Sequence, residues 1–314
     1  MKLLITGGAG YIGSHIVWQA QQAGHECVAI DNLSTGVPGR VDCEVVQIDL
    51  AAETAVEELE KLLAKGFDAV IHLAARKQVG ESVEKPELYF KDNIGGLANL
   101  LIAMRNTGTK KLVFSSSAAT YGMPNQDTVS EDDDAKPINP YGQTKLVGEW
   151  MVANAKQWGL KAVSLRYFNV AGTGKAGLAD TAALNLIPIA IGQLRRGEVP
   201  IVFGNDYPTP DGSCIRDYVH VTDLANAHLA AVEYLARESR PFDVFNIGSG
   251  IGASVIEGLE ELKVVSGIDF QYKISERRAG DPPRLVANVS RMKEVLGIST
   301  SHSLRDIVES AWNL

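Results

Sequence analysis

Tyr141 and Lys145 stand four residues apart in "PYGQTK" (140–145), a type and spacing that can move protons. On a helix, side chains at i and i+4 share one face, so the phenol and the ammonium would be neighbours. A free phenol titrates near ~10, and bringing it near 7 takes about 4 kcal/mol of preferential phenolate stabilisation. One unit charge about 4 Å away supplies on the order of 4 kcal/mol at an effective dielectric near 20. Tyr141 therefore reads as a general base and acid with Lys145 as its electrostatic partner. Ser117, which ends "FSSS" (114–117), reads as a hydroxyl bridging a substrate oxygen and Tyr141. Y-x-x-x-K arises about 0.5 times by chance in a chain of this make-up, so its surroundings must decide.

Those surroundings begin with "TGGAGYIGSH" (6–15). Residues 2–6 read as a strand and "YIGSHIVWQAQQAG" as a helix ending near Gly24, with the glycines in the turn between. Gly7 permits the sharp turn, Gly10 lets a diphosphate approach the backbone, and Gly13 allows close helix–sheet packing; the same stretch satisfies G-x-G-x-x-G through Gly8, Gly10 and Gly13. Free N–H groups and the helix dipole favour negative charge there. Asp31 ends the second candidate strand, where a carboxylate accepts both adenosine ribose hydroxyls and repels a 2′-phosphate, which favours NAD over NADP. Asp49 could meet the adenine amino group or cap a helix, and both readings stand.

Candidate strands at Lys2–Thr6, Glu26–Ile30, Glu44–Ile48, Asp68–Leu73, Lys110–Ser115 and Lys161–Tyr167 alternate with helical patterns at about 11–23, 53–65, 86–107 and 140–158. That alternation predicts an α/β fold with a doubly wound parallel sheet, ligands sitting beyond the strand C-termini. After "YFNVAGTG" the pattern becomes irregular, and Gly and Pro cluster at 197–212. "DVFNIGS" (243–249) reads as a buried strand returning to the main sheet. The expected division is a dinucleotide domain over 1–172 with returning segments at about 214–250, and a smaller lobe over 173–213 and 251–314. The acidic run Glu131–Asp134 reads as a solvated loop.

A net charge of -8 over 314 residues argues against general nucleic-acid binding. Three scattered cysteines, Cys27, Cys43 and Cys214, read as buried and reduced in a cytosolic protein. No apolar stretch approaches a membrane span, and glycines interrupt "MKLLITGG" too early for a signal peptide. The six histidines lack ligand-spaced partners, so no metal is expected. His72 is read as serving the "HLAA" turn and His220 as supporting "RDYVHV".

"TGGAGYIGSH", "DNLSTG", "HLAA", "FSSSAATYG", "PYGQTK", "LRYFNVAG", "FGNDYPTPDGSCIRDYVHVTDLANAH", "FNIGSG" and "RRAGDPP" follow one another from residue 1 to about 300. Together they resemble the extended short-chain dehydrogenase/reductase family, and within it the UDP-glucose 4-epimerases. The resemblance implies that Gly7, Gly10, Tyr11, Ile12 and Gly13 face the diphosphate of NAD. Asp31 and Asn32 would hold the adenosine ribose, and Asp49 and Leu50 would flank adenine. Leu73, Ala74, Ala75 and Lys77 would line the cofactor's middle, supported by Asn93 and Ser115. Tyr141, Lys145, Tyr167 and Phe168 would complete the nicotinamide side, Lys145 anchoring its ribose and supplying, together with the oxidised nicotinamide, the charge that lowers the Tyr141 phenol. The nucleotide sugar would use Ser117, Tyr141, Asn169, Asn185, Leu186, Val202, Phe203, Arg216, Tyr218, Arg278 and Asp281. Arg216 and Arg278 suit diphosphate oxygens through forked, charge-assisted hydrogen bonds.

The implied reaction is C4 epimerisation of the hexose of UDP-glucose and UDP-galactose through a 4-keto sugar. A homodimer built on segments 86–107 and 140–158 is a further family expectation. Two positions depart from the pattern. Ala119 stands where a threonine is usual, which removes one sugar contact, and Ala287–Asn288 replaces a usual Ala–Asp. Leu285 is of intermediate size where size governs admission of an N-acetyl group. A 4,6-dehydratase would need an acid pair after the active-site serine, which Ala118 and Ala119 are not. A UDP-uronate epimerase or decarboxylase would need an extra cation near C6 and is the alternative enzyme reading. A non-catalytic NAD-binding protein is the alternative from another class, although such proteins typically lose the Tyr or the Lys.

Overall fold

The structure, a computed structural model, describes residues 1–182, 185–278 and 280–313. Thirteen strands are seen among them: β1 (Lys2–Thr6), β2 (Glu26–Asp31), β3 (Glu44–Gln47), β4 (Ala69–His72), β5 (Lys111–Ser117), β6 (Lys161–Tyr167), β7 (Asn169–Ala171), β8 (Ile201–Phe203), β9 (Ile215–His220), β10 (Phe242–Ile247), β11 (Gly252–Ser254), β12 (Lys273–Ser275) and β13 (Arg284–Leu285). The α-helices are α1 (Tyr11–Gln22), α2 (Ala55–Leu63), α3 (Val79–Glu84), α4 (Pro86–Tyr89), α5 (Gly96–Thr107), α6 (Pro140–Asn154), α7 (Leu186–Arg195), α8 (Val221–Arg237), α9 (Val255–Ser266) and α10 (Leu304–Trp312).

Seven strands form the main sheet in the order β10-β6-β5-β4-β1-β2-β3, every pairing parallel. Alternation along each strand sends side chains to opposite faces, and helices cover both. Leu3 and Ile5 of β1 pack with Ile16 and Val17 of α1 and Ala227 and Ala231 of α8. Leu4 points the other way, into a core shared with Leu59 and Leu62 of α2 and Leu97, Leu100 and Met104 of α5. The strand order reverses between β1 and β4, the crevice where open α/β sheets take their ligands.

Beyond the main sheet, β11, β9 and β13 form a second sheet with β7 joined to β9, and β12 pairs with β8. These rest on a separate core that includes Ile187, Val202, Leu259, Leu262, Phe270, Ile307 and Val308. The returning strand expected at 243–249 is β10, beside β6. β9 instead belongs to the smaller sheet.

Other sequence expectations need correction as well. The helix expected over 86–107 is a short α-turn, a π-helical turn at Phe90–Gly95 and then α5. Periodicity could not reveal this, because a single wider turn leaves the flanking apolar spacing nearly intact. The run Glu131–Asp134 is not wholly solvated: the Glu131 side chain is 4% exposed and accepts a hydrogen bond from the Asn246 N–H at 2.7 Å. Of the cysteines, Cys27 and Cys214 are buried and Cys43 is half-buried; all are free thiols.

Candidate active site

A cavity of about 1340 Å³ lies beyond the C-terminal ends of the main-sheet strands, bounded on its other side by the smaller lobe. One end is built from backbone. Gly7 adopts φ +69°, a left-handed conformation that side chains disfavour. A Cβ on Gly13 would lie 2.1 Å from the Gly7 carbonyl oxygen, so only glycine lets α1 approach this closely. A Cβ on Gly10 would meet only that same oxygen, at 3.2 Å, and Gly10, Tyr11, Ile12 and Gly13 all line the cavity. No side chain caps the N-terminus of α1, which leaves its first N–H groups for an anion.

Asp31 is buried at the tip of β2; its Oδ2 accepts from the Ala9 N–H at 3.1 Å and its Oδ1 from the Leu33 N–H at 2.9 Å. Each oxygen keeps a lone pair for a ribose hydroxyl. Asn32 is exposed and its Oδ1 accepts from the N–H and hydroxyl of Ser34. Asp49 does not cap α2, because its Oδ1 accepts from the Ala51 N–H at 3.0 Å. Leu50, Leu73, Ala74, Ala75 and Lys77 continue the wall. These features fit a dinucleotide: an uncapped helix end over glycine backbone, with a carboxylate one strand away.

Tyr141 and Lys145 open α6, which starts on a polar cap: the Asn139 side chain accepts from the Gly142 N–H at 2.8 Å, and Pro140 supplies the preset first-turn φ. Both side chains are buried and line the cavity. Ser117 ends β5, accepts from the Ala119 N–H at 3.2 Å and lines the cavity with Tyr141. Lys145 Nζ donates to the Ser115 carbonyl at 2.8 Å. Burial lowers the Lys145 ammonium to about 8, opposed by the Glu149 carboxylate.

Burial raises the Tyr141 phenol above its ordinary value, and the Ser117 hydroxyl opposes that rise. Lys145 Nζ, drawn to Ser115, sits 5.9 Å from the centre of the Tyr141 ring. The expected lowering counts on an oxidised nicotinamide as well as the ammonium, and so on a second positive charge in the cavity.

On the far side, Asn169, Asn185, Leu186, Phe203, Arg216, Tyr218, Arg278, Asp281 and Leu285 face the same space, with Tyr167 and Phe168 between the two ends. Arg216 Nη1 donates to the carbonyls of Ile215 and Pro282, and Nη2 lies 3.3 Å from Asp281. The Arg278 guanidinium stacks over Phe203 at 3.9 Å. Among the described residues, the buried Tyr218 hydroxyl has no hydrogen-bond partner, as a group meant for a ligand would.

Three expected residues do not reach the cavity wall. Asn93 sits behind it, bonded to Arg76 and to Thr144 on α6. Ser115 is buried against the His228 imidazole, 3.0 Å away, and Val202 points into the smaller lobe's core. Their sequence signal was position within a motif, which does not tell a lining side chain from one supporting it. Ala119 lines the cavity, and the neighbouring Thr120 hydroxyl does not replace the missing one, since it donates to the Ser117 carbonyl. Lining residues that sequence reasoning missed include Arg40, which crosses to donate to the Ala179 carbonyl and the Thr181 hydroxyl, and Arg76, paired with Asp92 at 2.5 Å. Arg40 lies in a Gly/Pro-rich segment without a motif, and Arg76 stands between "HLAA" and Lys77, where the motif gave it no role.

His72 Nδ1 is bonded to the Thr6 hydroxyl at 2.7 Å, and His220 caps the start of α8. Among the described residues there is no cluster of metal-ligating side chains and no helix long and apolar enough to cross a membrane.

A doubly wound sheet with a glycine-lined helix end and a Ser–Tyr–Lys group at its switch point is the architecture of a nucleotide-dependent oxidoreductase-type enzyme. The sequence profile of the NAD dependent epimerase/dehydratase family matches residues 3–248, and the chain belongs to that family. It is 44% identical to the UDP-glucose 4-epimerase of Corynebacterium glutamicum, over 99% of this chain and 95% of that one. The crystal structure of UDP-glucose 4-epimerase from Brucella ovis in complex with NAD superimposes with a TM-score of 0.94 at 41% identity, covering 99% of this chain and 97% of that one. The Stenotrophomonas maltophila enzyme with bound NAD and formylated UDP-arabinopyranose also gives 0.94, at 36% identity, over 100% of this chain and 97% of that one.

Proposed function

We propose that this protein interconverts UDP-glucose and UDP-galactose by epimerisation at C4, with NAD as its resident cofactor. The observation that carries the reading is the placement of Ser117, Tyr141 and Lys145, all buried and all lining one cavity where its two ends meet, in a member of this family.

Bound NAD supplies the acceptor and donor of the C4 hydride. Tyr141 takes the 4-hydroxyl proton as the 4-keto sugar forms and returns it when the hydroxyl is restored. Ser117, its oxygen already oriented by the Ala119 N–H, bridges the sugar oxygen and the phenol. Lys145 holds positive charge behind Tyr141 and offers donors to a ribose. The backbone of Gly7–Gly13 and the carboxylate of Asp31 hold NAD, with Asn32, Asp49, Leu50, Leu73, Ala74, Ala75, Lys77, Tyr167 and Phe168 around it. Asn93 and Ser115 brace these residues from behind. Arg216 and Arg278 hold the sugar nucleotide's diphosphate, with Asn169, Asn185, Leu186, Phe203, Tyr218 and Asp281 beside it. Ala118, Ala119 and Leu285 offer the sugar few polar anchors. That suits a 4-keto sugar that must present both faces, since tight binding of one ground state would not speed either half-reaction.

In this division of labour, most of residues 1–172 and the returning segments after β9 carry the cofactor, while 173–213, β9 and 251–314 carry the nucleotide sugar. The reading extends to a cytoplasmic homodimer. The free thiols suit a reducing compartment, and Phe90, Ile102 and Trp150 are exposed on segments 86–107 and 140–158. Light scattering coupled to size exclusion tests the dimer, a monomer being the contrary result. Incubating the purified protein with UDP-galactose and no added NAD tests the activity, and UDP-glucose should accumulate. Absence of interconversion would discard the reading. Tyr141→Phe should lower turnover about 10²–10⁴-fold while NAD remains bound.

A further inference from the structure

A buried ion pair lies one helical turn behind the catalytic residues, and the reaction as described does not use it. Glu149 on α6 is 3% exposed and Arg166 on β6 is 6% exposed. Arg166 Nε donates to Glu149 Oε1 at 2.9 Å and Nη2 to Oε2 at 2.7 Å. The Ser116 hydroxyl donates to the same Oε1 at 2.5 Å. The guanidinium lies 4.9 Å from the centre of the Tyr121 ring, whose hydroxyl donates to Asn246.

Stripping water from both ions is costly, and well-packed hydrocarbon often stabilises a fold as well as such a pair does. Its place in the fold suggests another use. Glu149 grips Ser116, the residue between Ser115, whose carbonyl takes Lys145 Nζ, and Ser117, which lines the cavity with Tyr141. It also follows Lys145 by four residues on the same face of α6. Three elements bearing site residues, β5, β6 and α6, therefore converge on one carboxylate.

We propose that Glu149 and Arg166 are positioning residues for proton transfer, fixing the end of β5 against α6 and balancing the charge felt by Lys145 and Tyr141. This rests on the roles given above to Tyr141 and Lys145. Neither member of the pair lines the cavity, so neither touches substrate. The other charged or titratable groups facing the pair are Tyr121 after β5, Glu131 beyond it, and Asp133 and Asp134, which with Trp150 share a small outer cavity with it. His72 of β4 faces Lys145.

Glu149→Gln keeps the shape of the site but leaves the Arg166 cation uncompensated, which disfavours the Lys145 ammonium and favours the Tyr141 phenolate. Its pH profile for turnover should move about one unit toward lower pH. Arg166→Gln leaves the carboxylate uncompensated and should move the profile toward higher pH. The double variant Glu149→Gln/Arg166→Gln is neutral; its profile should return to the wild-type position, with kcat lower by about tenfold at unchanged KM. The double variant keeps the test readable where a single one does not fold. NAD content should stay at the wild-type level in each.

Shifts of the same sign in the two single variants, no shift in either, or wild-type kcat in the double variant would overturn the inference. Lys145→Met separates this from the underlying assignment. Wild-type turnover in Lys145→Met would remove Lys145 from its role. Loss of turnover there, with unmoved profiles in the Glu149 and Arg166 variants, would remove only the positioning pair.

Discussion

The cofactor side of the cavity stands on seven parallel strands joined edge to edge, whereas the nucleotide-sugar side rests on sheets of four and two short strands. On the first side the contact surface is main chain: glycines whose missing side chains are dictated by backbone 2–3 Å away, as at Gly13. On the second it is side chain: a guanidinium stacked on Phe203, another tied to Asp281, a tyrosine hydroxyl without a partner. A backbone cradle cannot be altered one residue at a time without disturbing the sheet behind it. Side chains on short strands can. The chemistry sits where the two meet, fixed to the rigid side through β5 and α6.

The sharpest break in that comparison is Gly13→Ala. Its Cβ would press on the backbone of Gly7 and Gly8, and the expected cost is about 3 kcal/mol in urea unfolding, together with loss of bound NAD. Wild-type stability with NAD retained would show the cradle to be as forgiving as the opposite wall.

Acid comes next. Burial holds His72 neutral, with its imidazole lowered to about 3, and His15, His220 and His228 lowered to about 4. The unfolded chain takes up these protons below about 6.5 while the native state does not, so stability falls as pH drops from there toward 4. The slope is at most about 1.4 kcal/mol per pH unit for each imidazole. His72 and His228 brace the main sheet, so NAD should be lost along with the fold. A flat stability profile between pH 7 and 5 would contradict this.

Arg278→Ala probes the other side. The residue is exposed at the cavity rim, so the melting temperature should hardly move. KM for the nucleotide sugar should rise about tenfold or more, the worth of one charge-assisted hydrogen bond. Equal loss of NAD in this variant would erase the distinction between the two sides. Smallest of all is Ala119→Thr, which returns a hydroxyl to the wall. KM should change by only about two- to threefold, read from initial rates with UDP-galactose, because a neutral hydrogen bond is worth about 0.5–1.5 kcal/mol before the cost of tighter packing.

The same contrast decided what could be read from the residues alone. Strand–helix alternation and the glycine spacing are local, and they located β1 to β6, β10 and the turn before α1. The smaller lobe's strands are two to six residues long and pair across large sequence gaps, as β7 does with β9, so no local period marks them. At the site, Tyr141, Lys145 and Ser117 lie in short motifs and were legible. The hydrogen bond from Lys145 to the Ser115 carbonyl was not, because no motif displays a main-chain acceptor. Arg40 reaches the cavity from a stretch with no pattern and Arg76 from just past "HLAA", and Glu131 looked solvated only because its neighbours are.

The π-turn at Phe90–Gly95 sets an angular register. It holds one residue more than an α-helical path of the same length, and there Asn93 turns inward to bind Thr144 while α5, directly after it, keeps Leu97, Leu100 and Leu101 on the core. Deleting a single residue from the turn would rotate everything before it by about 100° about the helix axis. Asn93 would swing out of reach of α6, and Tyr89 would lose its hold on the backbone of Gln78. The extra residue acts like an offset key on a shaft, letting one continuous rod serve the hydrophobic core with one end and brace the proton-transfer helix with the other.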